Sequence, residues 1–251
     1  MAFTSSSSFL ALLESGNFSD AVVKCEDRSW KVHKAILCSR SKWFDKALNG
    51  EFEEAKTGIL TITETSPEKI EWLLKYLYRG AACGTFSDGS YAAWTEVYSL
   101  GDFFDLPDLR SSALTNLKER LAKAAKSFKS PMEFLIEDFY SDENGSDDDG
   151  LFVPIRAQTT SSKDDIIKDF LKGVREAYGL GILAKPLQDV FVDVVRQARY
   201  SILGHHEFMA GSRDLHLFKA DVLTAMCEDM AAWRILGQDV VFPKSCLCDL
   251  P

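Results

Sequence analysis

The spacing of apolar side chains changes at His33, and this change predicts a fold that combines strands with helices. Before it, Trp30 and Val32 flank the polar Lys31, which is the alternation of a half-buried β-strand. After it, apolar side chains recur at helical spacing through residues 35–48. We therefore expect a small sheet flanked by helices in the N-terminal half.

The order of the other N-terminal elements also follows from the pattern. Ser19–Cys25 is predicted to be a strand joined by a turn to the strand before His33, and Ile59–Ile62 a third strand. Thr65-Ser-Pro-Glu68 combines a capping box with proline in the first turn, which predicts a helix start. Apolar spacing predicts two more helices, at residues 91–103 and 107–128.

An acidic segment separates this half from a second one that is predicted to be all-helical. Residues 131–150 carry eight acidic and no basic side chains. Within them, residues 141–150 have no apolar side chain whose burial could offset the entropy lost on ordering. The predicted segments are a disordered N-terminus at 1–8, a mixed α+β domain at 9–128, an acidic flexible linker at 129–162 and a helical C-terminal region at 163–251.

Charge and hydropathy exclude two kinds of partner. The net charge is −9, yet residues 1–130 carry 17 basic and 17 acidic side chains, so the acidity is concentrated in the acidic segment. Binding to a phosphate backbone needs a basic surplus, and we therefore expect no nucleic-acid partner. No apolar run approaches the about 18–20 residues that cross a bilayer, so we expect no membrane association.

The cysteines indicate a compartment. Six cysteines are scattered along the chain, and the start Met1–Leu13 has no basic region before its short apolar stretch, which makes it a poor signal peptide. Such cysteines are typical of reduced thiols rather than of a disulfide framework. The sequence predicts a location in the cytoplasm or the nucleus.

Several stretches carry a resemblance to a known family. They are Phe18-Ser-Asp-Ala-Val-Val23, the run Trp30–Phe44 with His-Lys-Ala-Ile-Leu inside it, Phe52-Glu-Glu54, Ile59–Ile62 and Leu74-Lys-Tyr-Leu-Tyr78. In this order they resemble a BTB/POZ domain over residues 9–128. The resemblance implies an α+β BTB/POZ fold, a small sheet flanked by helices, here followed by an all-helical region. The serine-rich start, acidic insert and helical tail resemble those of fungal proteins with this domain.

The resemblance implies a non-enzymatic module that binds other proteins. BTB domains often form homodimers through an N-terminal helix, and the corresponding helix here is apolar. The expected dimer interface consists of Phe9, Leu10, Leu12, Leu13 and Phe18. The alternative is that these side chains only cover the core of their own monomer.

A second implied partner is a cullin scaffold. Family members that act as ubiquitin-ligase adaptors present a hydrophobic-any-Glu motif in the loop before the third strand, and Phe52-Glu53-Glu54 matches it. The alternatives are a chance match and simple solvation of the two glutamates. The helices of residues 163–200 would extend the contact, although the acidic insert before them departs from the family pattern. The other function left open is a scaffold or transcription-associated factor that uses the domain only to self-associate, and no client protein follows from the sequence.

The remaining chemistry predicts neither an enzyme nor a cofactor. Within the resemblance, Asp20 and His33 are structural residues, with a carboxylate or a backbone group holding the imidazole in one tautomer. His205-His206 with His216, and Cys246-Leu-Cys248, lack the paired spacing of a zinc site, and no metal is expected. No phosphate loop, nucleophile elbow or kinase signature is present in the sequence.

Overall fold

The structure of the protein, a computed structural model, describes residues 5–79, 89–128, 160–181 and 184–235. The chain divides into two units, Met1–Thr115 and Asn116–Pro251. The predicted acidic linker lies outside the described residues apart from its last three, 160–162, which belong to a helix.

Three short strands form the sheet of the N-terminal unit. They are β1 (Ala21–Cys25), β2 (Arg28–Val32) and β3 (Ile59–Thr61), in the spatial order β2-β1-β3. β1 and β2 are an antiparallel hairpin in which Ala21 lies opposite Val32, whereas β3 runs parallel to β1 with Leu60 opposite Val23. A parallel neighbour requires a crossover connection, and three short helices between β2 and β3 provide it.

Seven helices of the described residues begin before residue 115. They are α1 (Ser5–Ser15), α2 (Lys34–Arg40), α3 (Lys42–Asn49), α4 (Glu53–Thr57), α5 (Pro67–Arg79), α6 (Tyr91–Phe103) and α7 (Pro107–Phe128). The bounds of α6 and α7 agree with the sequence prediction. The apolar face of α5 is fully buried, since Ile70, Leu73, Leu74 and Leu77 have no exposed surface.

Two differences from the prediction concern short helical segments. α1 begins at Ser5, so residues 5–8 are helical although serine-rich composition predicted disorder there. Adding one turn to a formed helix costs little because the nucleus already exists. Helix α4 was not predicted, because its five residues are too short to show a helical period.

The described residues of the C-terminal unit are helical. Its elements after α7 are α8 (Thr160–Gly179), α9 (Lys185–Gln197), a 3₁₀ helix (Ser201–Gly204), α10 (His206–Gly211) and α11 (His216–Ile235). Four buried rings form the centre, with Phe170 lying 5.5 Å from Phe191 and 6.1 Å from Phe218 between ring centroids. The fourth is Phe208, whose centroid is 6.5 Å from that of Phe170. The predicted helical region is therefore confirmed over its described residues, 163–181 and 184–235.

Helix α11 is attached to α8 and α9 through one of its carboxylates, that of Asp221. The Asp221 carboxylate accepts a hydrogen bond of 2.7 Å from the Tyr178 hydroxyl and one of 2.9 Å from Lys185 Nζ. Burial alone would raise the pKa of Asp221, but the bonds from Lys185 and Tyr178 outweigh it and hold the pKa below its usual value.

A second carboxylate on α11 is bound in the same way two turns later. Arg196 donates two hydrogen bonds to Asp229, and the Tyr200 hydroxyl donates a third at 2.6 Å. The Arg196 guanidinium holds the pKa of Asp229 below its usual value, more strongly than burial raises it. Such bidentate arginine–carboxylate pairs are among the stronger hydrogen bonds in proteins.

Candidate protein-interaction surfaces

Helix α1 presents large apolar side chains that the rest of its unit leaves partly uncovered. It packs on α5 and β2, yet its residues Leu10, Leu12 and Leu13 are only half-buried, and Phe9 is 41% exposed. None of these four side chains belongs to the fully buried core. The helix therefore covers part of its own unit and still displays an apolar face.

The chain reverses after α1 at a glycine. Gly16 has a φ of +64°, and its N–H donates a 2.9 Å hydrogen bond to the carbonyl oxygen of Leu12. A Cβ at this position would lie 2.8 Å from Cδ of Lys31 on β2. Both the left-handed backbone and the close approach favour glycine here.

Phe18 follows this turn and is the most exposed large apolar residue of the described chain. Its side chain is 90% exposed, and its backbone has a φ of +62°, a region that residues other than glycine seldom adopt. We call the apolar face formed by Phe9, Leu10, Leu12, Leu13 and Phe18 the α1 surface. An exposed phenylalanine in a costly backbone conformation is a feature typical of binding sites.

The predicted cullin motif lies at a helix start and not in a loop. Phe52 is 62% exposed and immediately precedes α4, whose first turn contains Glu53 and Glu54. Glutamates are favoured in a first helical turn because they complement the helix dipole, and Gly58 ends the helix with a φ of +68°. The expectation of a loop was thus wrong, although the motif does precede β3.

A lysine fixes where α4 lies. Nζ of Lys34, at the start of α2, donates hydrogen bonds to the carbonyl oxygens of Leu48, at 3.0 Å, and Ala55, at 3.3 Å. The N–H of Val22 on β1 donates a 2.8 Å bond to the carbonyl oxygen of Gly58 at the other end of α4. The exposed Phe52 ring therefore stands on a segment held at both ends.

His33 is buried and has a protein partner for each ring nitrogen. Nε2 lies 2.7 Å from the carbonyl oxygen of Asn17, which can only accept, so this nitrogen carries the proton. Nδ1 then accepts from the Tyr78 hydroxyl at 2.7 Å, and that hydroxyl in turn accepts from the His33 backbone N–H at 2.9 Å. Burial raises the pKa of Tyr78 to about 12, so the hydroxyl remains a donor.

Asp20 does not contact the imidazole. Its Oδ1 accepts a 2.7 Å hydrogen bond from the backbone N–H of Lys34, the first residue of α2. The sequence left a carboxylate and a backbone group open as partners of the His33 ring. The structure has the backbone carbonyl of Asn17, together with the Tyr78 hydroxyl, which the sequence did not predict. Tyr78 lies 45 positions away from His33, and no local pattern connects the two.

The histidines of the C-terminal unit are grouped differently from the set considered in the sequence. His205 and His206 lie beside Asp164, with one candidate ligand atom from each residue within 4.8 Å of the others. His216 is exposed and is not part of this group. Cys246 and Cys248 lie outside the described residues, as does everything beyond residue 235.

Comparison with known families identifies the domain of the N-terminal unit. The BTB/POZ domain family matches residues 9–121. The chain thus contains a BTB/POZ domain, which confirms the resemblance seen in the sequence. The α+β fold class, a small sheet flanked by helices and followed by a helical region, is confirmed as well.

Curated relatives match a similar length of the chain. Kelch-like protein 41 of Rattus norvegicus is 29% identical over 111 residues, which are 44% of this chain and 18% of that protein. Kelch-like protein 40 of Xenopus laevis is 22% identical over 110 residues, 44% of this chain and 17% of that protein. Kelch-like protein 24a of Danio rerio is 22% identical over 104 residues, which are 41% of this chain and 16% of that protein. The match thus spans less than a fifth of the length of these relatives.

No helix of the described residues is long and apolar enough to span a membrane.

Proposed function

We propose that this protein is a non-enzymatic protein-interaction module that forms a homodimer through the α1 surface. The observation that carries the proposal is the apolar side of α1, where Phe9 is 41% exposed and Phe18 90% exposed. Contiguous exposed apolar residues on a soluble domain mark interaction sites, and aromatic side chains near the centre of an interface contribute most of the binding energy.

The apolar character of the α1 surface suits a homodimer. A stable interface buries about 1,600 Å² in total, or about 800 Å² from each partner. Two long aromatic side chains and three half-buried leucines on one helix and its following turn supply the apolar centre of such an interface. In a two-fold dimer the same patch faces itself, so one apolar surface is sufficient.

Light scattering coupled to size-exclusion chromatography tests the dimer. We expect the intact chain to elute as a dimer at micromolar concentration and Phe9→Asp or Phe18→Asp to shift it to a monomer. Leu217→Asp is the matched control, because Leu217 on α11 is an equally apolar side chain that is 70% exposed outside the α1 surface. A monomeric wild type, or equal dissociation by Leu217→Asp, would refute the proposal.

We further propose that the segment Phe52-Glu53-Glu54 binds a cullin scaffold, which would make the protein a substrate adaptor of a cullin-RING ubiquitin ligase. The exposed Phe52 ring stands on the anchored α4 segment, and Glu54 lies one half-turn further on. An aromatic anchor can fill a pocket while a neighbouring carboxylate receives a charge-assisted bond. Kelch-like proteins are among the relatives of this chain, each matched over 44% of its length.

Pull-down of a cullin by the intact chain tests this second proposal. Phe52→Ala and Glu54→Ala should each reduce the amount bound at least about tenfold, as expected for removal of a hot-spot side chain. Glu53→Ala is the matched control, since it removes the same charge from the position between them. If cullin is not retained, or if all three variants behave alike, the alternative of a scaffold or transcription-associated factor that only self-associates is supported instead.

We place this activity in the cytoplasm or the nucleus. Within the described residues Cys25, Cys38 and Cys227 are free thiols, which suits a reducing compartment. The client protein is to be identified by affinity purification and mass spectrometry from native cells, with the Phe18→Asp variant as the comparison.

A further inference from the structure

We propose that Asp164, His205 and His206 form a binding site for a transition-metal ion of the Zn²⁺ class. The site joins the first turns of α8 to the turn that begins α10. Asp164 and His205 are about forty positions apart in sequence, and the packing of α8 against α10 brings them together. The site lies entirely in the C-terminal unit and is independent of the α1 surface.

The geometry suits a single ion. One ligand atom from each of the three residues lies within 4.8 Å of the others, and His205 Nε2 is 3.6 Å from Oδ1 of Asp164. The rings of His205 and His206 are stacked with centroids 4.7 Å apart. Ligand atoms around tetrahedral zinc are about 3.3–3.5 Å apart, given bonds of about 2.0–2.2 Å. Side-chain rotation by the exposed His206 and the half-buried Asp164 can close the remaining difference.

The protein alone does not satisfy the His205 imidazole. Its Nδ1 is buried and has no hydrogen-bond partner among the described residues. The other nitrogen has only the 3.6 Å contact to Asp164, which is longer than a good hydrogen bond. A neutral imidazole has one donor and one acceptor nitrogen, so at least one partner is missing. A cation beside Asp164 gives the lone pair of Nε2 a partner and compensates the carboxylate, and Nδ1 then carries the proton.

The neighbouring charges allow a cation to enter. Oε1 of Glu207 lies 3.7 Å from Nε2 of His206, so a second carboxylate stands at the edge of the group. Lys168 Nζ is 3.7 Å from the same Glu207 oxygen and balances that charge. Carboxylates beside ligating histidines orient the rings and raise their basicity. Two imidazoles favour Zn²⁺, Ni²⁺ or Cu²⁺ over Mg²⁺ or Ca²⁺, which prefer oxygen ligands.

The consequence is a metal-dependent connection between helices. Because the ligands come from α8 and from the start of α10, an ion that binds only the folded state stabilises the packing of these two helices. We expect the metal to raise the thermal unfolding midpoint of the C-terminal unit and to leave the oligomeric state unchanged. A structural role of this kind requires no substrate.

The test is a titration of the untagged, chelator-treated full chain with ZnCl₂, followed by calorimetry and by thermal unfolding. The background protein carries Cys227→Ser, Cys246→Ser and Cys248→Ser, so that no thiol of the C-terminal unit binds the probe. We expect one equivalent of Zn²⁺ to bind and the unfolding midpoint to rise, whereas MgCl₂ has no effect. Asp164→Asn and His206→Gln should each weaken binding at least about tenfold.

His216→Gln is the matched control, because His216 is an exposed histidine of the same unit outside the group. It should leave zinc affinity unchanged. Circular dichroism of each variant without metal establishes that it is folded. Absence of zinc binding, wild-type affinity in both Asp164→Asn and His206→Gln, or an equal loss in His216→Gln would overturn the proposal.

Discussion

The hydroxyl of Tyr78 forms hydrogen bonds with both the backbone N–H and Nδ1 of His33, at 2.9 Å and 2.7 Å. One oxygen atom near the end of α5 thus satisfies two polar groups of His33, the residue that links β2 to α2. The third polar group of the residue, Nε2, donates to the Asn17 carbonyl just after α1. These bonds connect the turn after α1, the end of β2 and α5.

Removal of this hydroxyl should destabilise the domain. Tyr78→Phe keeps the ring but leaves the His33 N–H and Nδ1 buried without their partner, a loss of about 1–3 kcal/mol in the free energy of unfolding. Urea denaturation measures the change. Hydrogen exchange provides the local control, because the His33 amide should lose protection while amides inside α11 should not. An unchanged midpoint together with unchanged exchange would show that the bond contributes nothing.

The carboxylate of Asp20 should stabilise the start of α2. Its 2.7 Å bond from the Lys34 N–H satisfies one of the backbone donors that every helix leaves free in its first turn. Asp20→Ala should therefore lower the free energy of unfolding by about 0.5–2 kcal/mol. The control is Asp20→Asn, which retains an acceptor oxygen at the same place and should retain most of the stability. Equal losses in the two variants would indicate a role of the charge and not of the cap.

Stability at acid pH should depend on Asp229. Arg196 holds the folded-state pKa of this carboxyl below its value of 3.8 in the unfolded chain. A depressed folded pKa gives stability that is present above the unfolded value and is lost as the pH falls through the folded value. Near pH 7, Asp229→Asn should be less stable than the wild type by about 1.5–3 kcal/mol, the contribution of hydrogen bonds to charged groups.

The difference in the free energy of unfolding between the wild type and Asp229→Asn should narrow as the pH falls below about 4, because the Asp229 carboxyl of the wild type then takes up a proton. Denaturation curves across this range measure it. The matched control is Asp193→Asn, since Asp193 is an exposed carboxylate on α9. A gap between wild type and Asp229→Asn that stays constant with pH would contradict the assignment.

Much of the architecture could be predicted because it depends on local periodicity. The alternation around Trp30, the capping box at Thr65–Glu68 and the apolar spacing of α6 and α7 involve neighbours in sequence, and the corresponding elements are where they were expected. Short elements were missed. The five residues of α4 and the six of α10 are too few to establish a helical period. Because α4 was missed, the cullin motif at its start was expected in a loop.

The sequence predicted which residues form the α1 surface but not how far they are exposed. The α1 surface is a run of adjacent residues, and its members could be named before the structure. Its incomplete burial depends on what α5 and β2 cover, and this follows only from packing. The homodimer and the cullin contact remain predictions.

The amino-acid pattern was enough to establish an α+β domain followed by helices, because secondary structure follows from side chains a few positions apart. Tertiary structure alone decided which polar groups meet. Tyr78 reaches His33 across 45 positions, Asp20 caps a helix instead of holding that imidazole, and Asp164 joins two histidines from another helix turn. Such pairings depend on the packing of distant segments and on the need of buried polar atoms for partners, neither of which leaves a periodic trace in the chain.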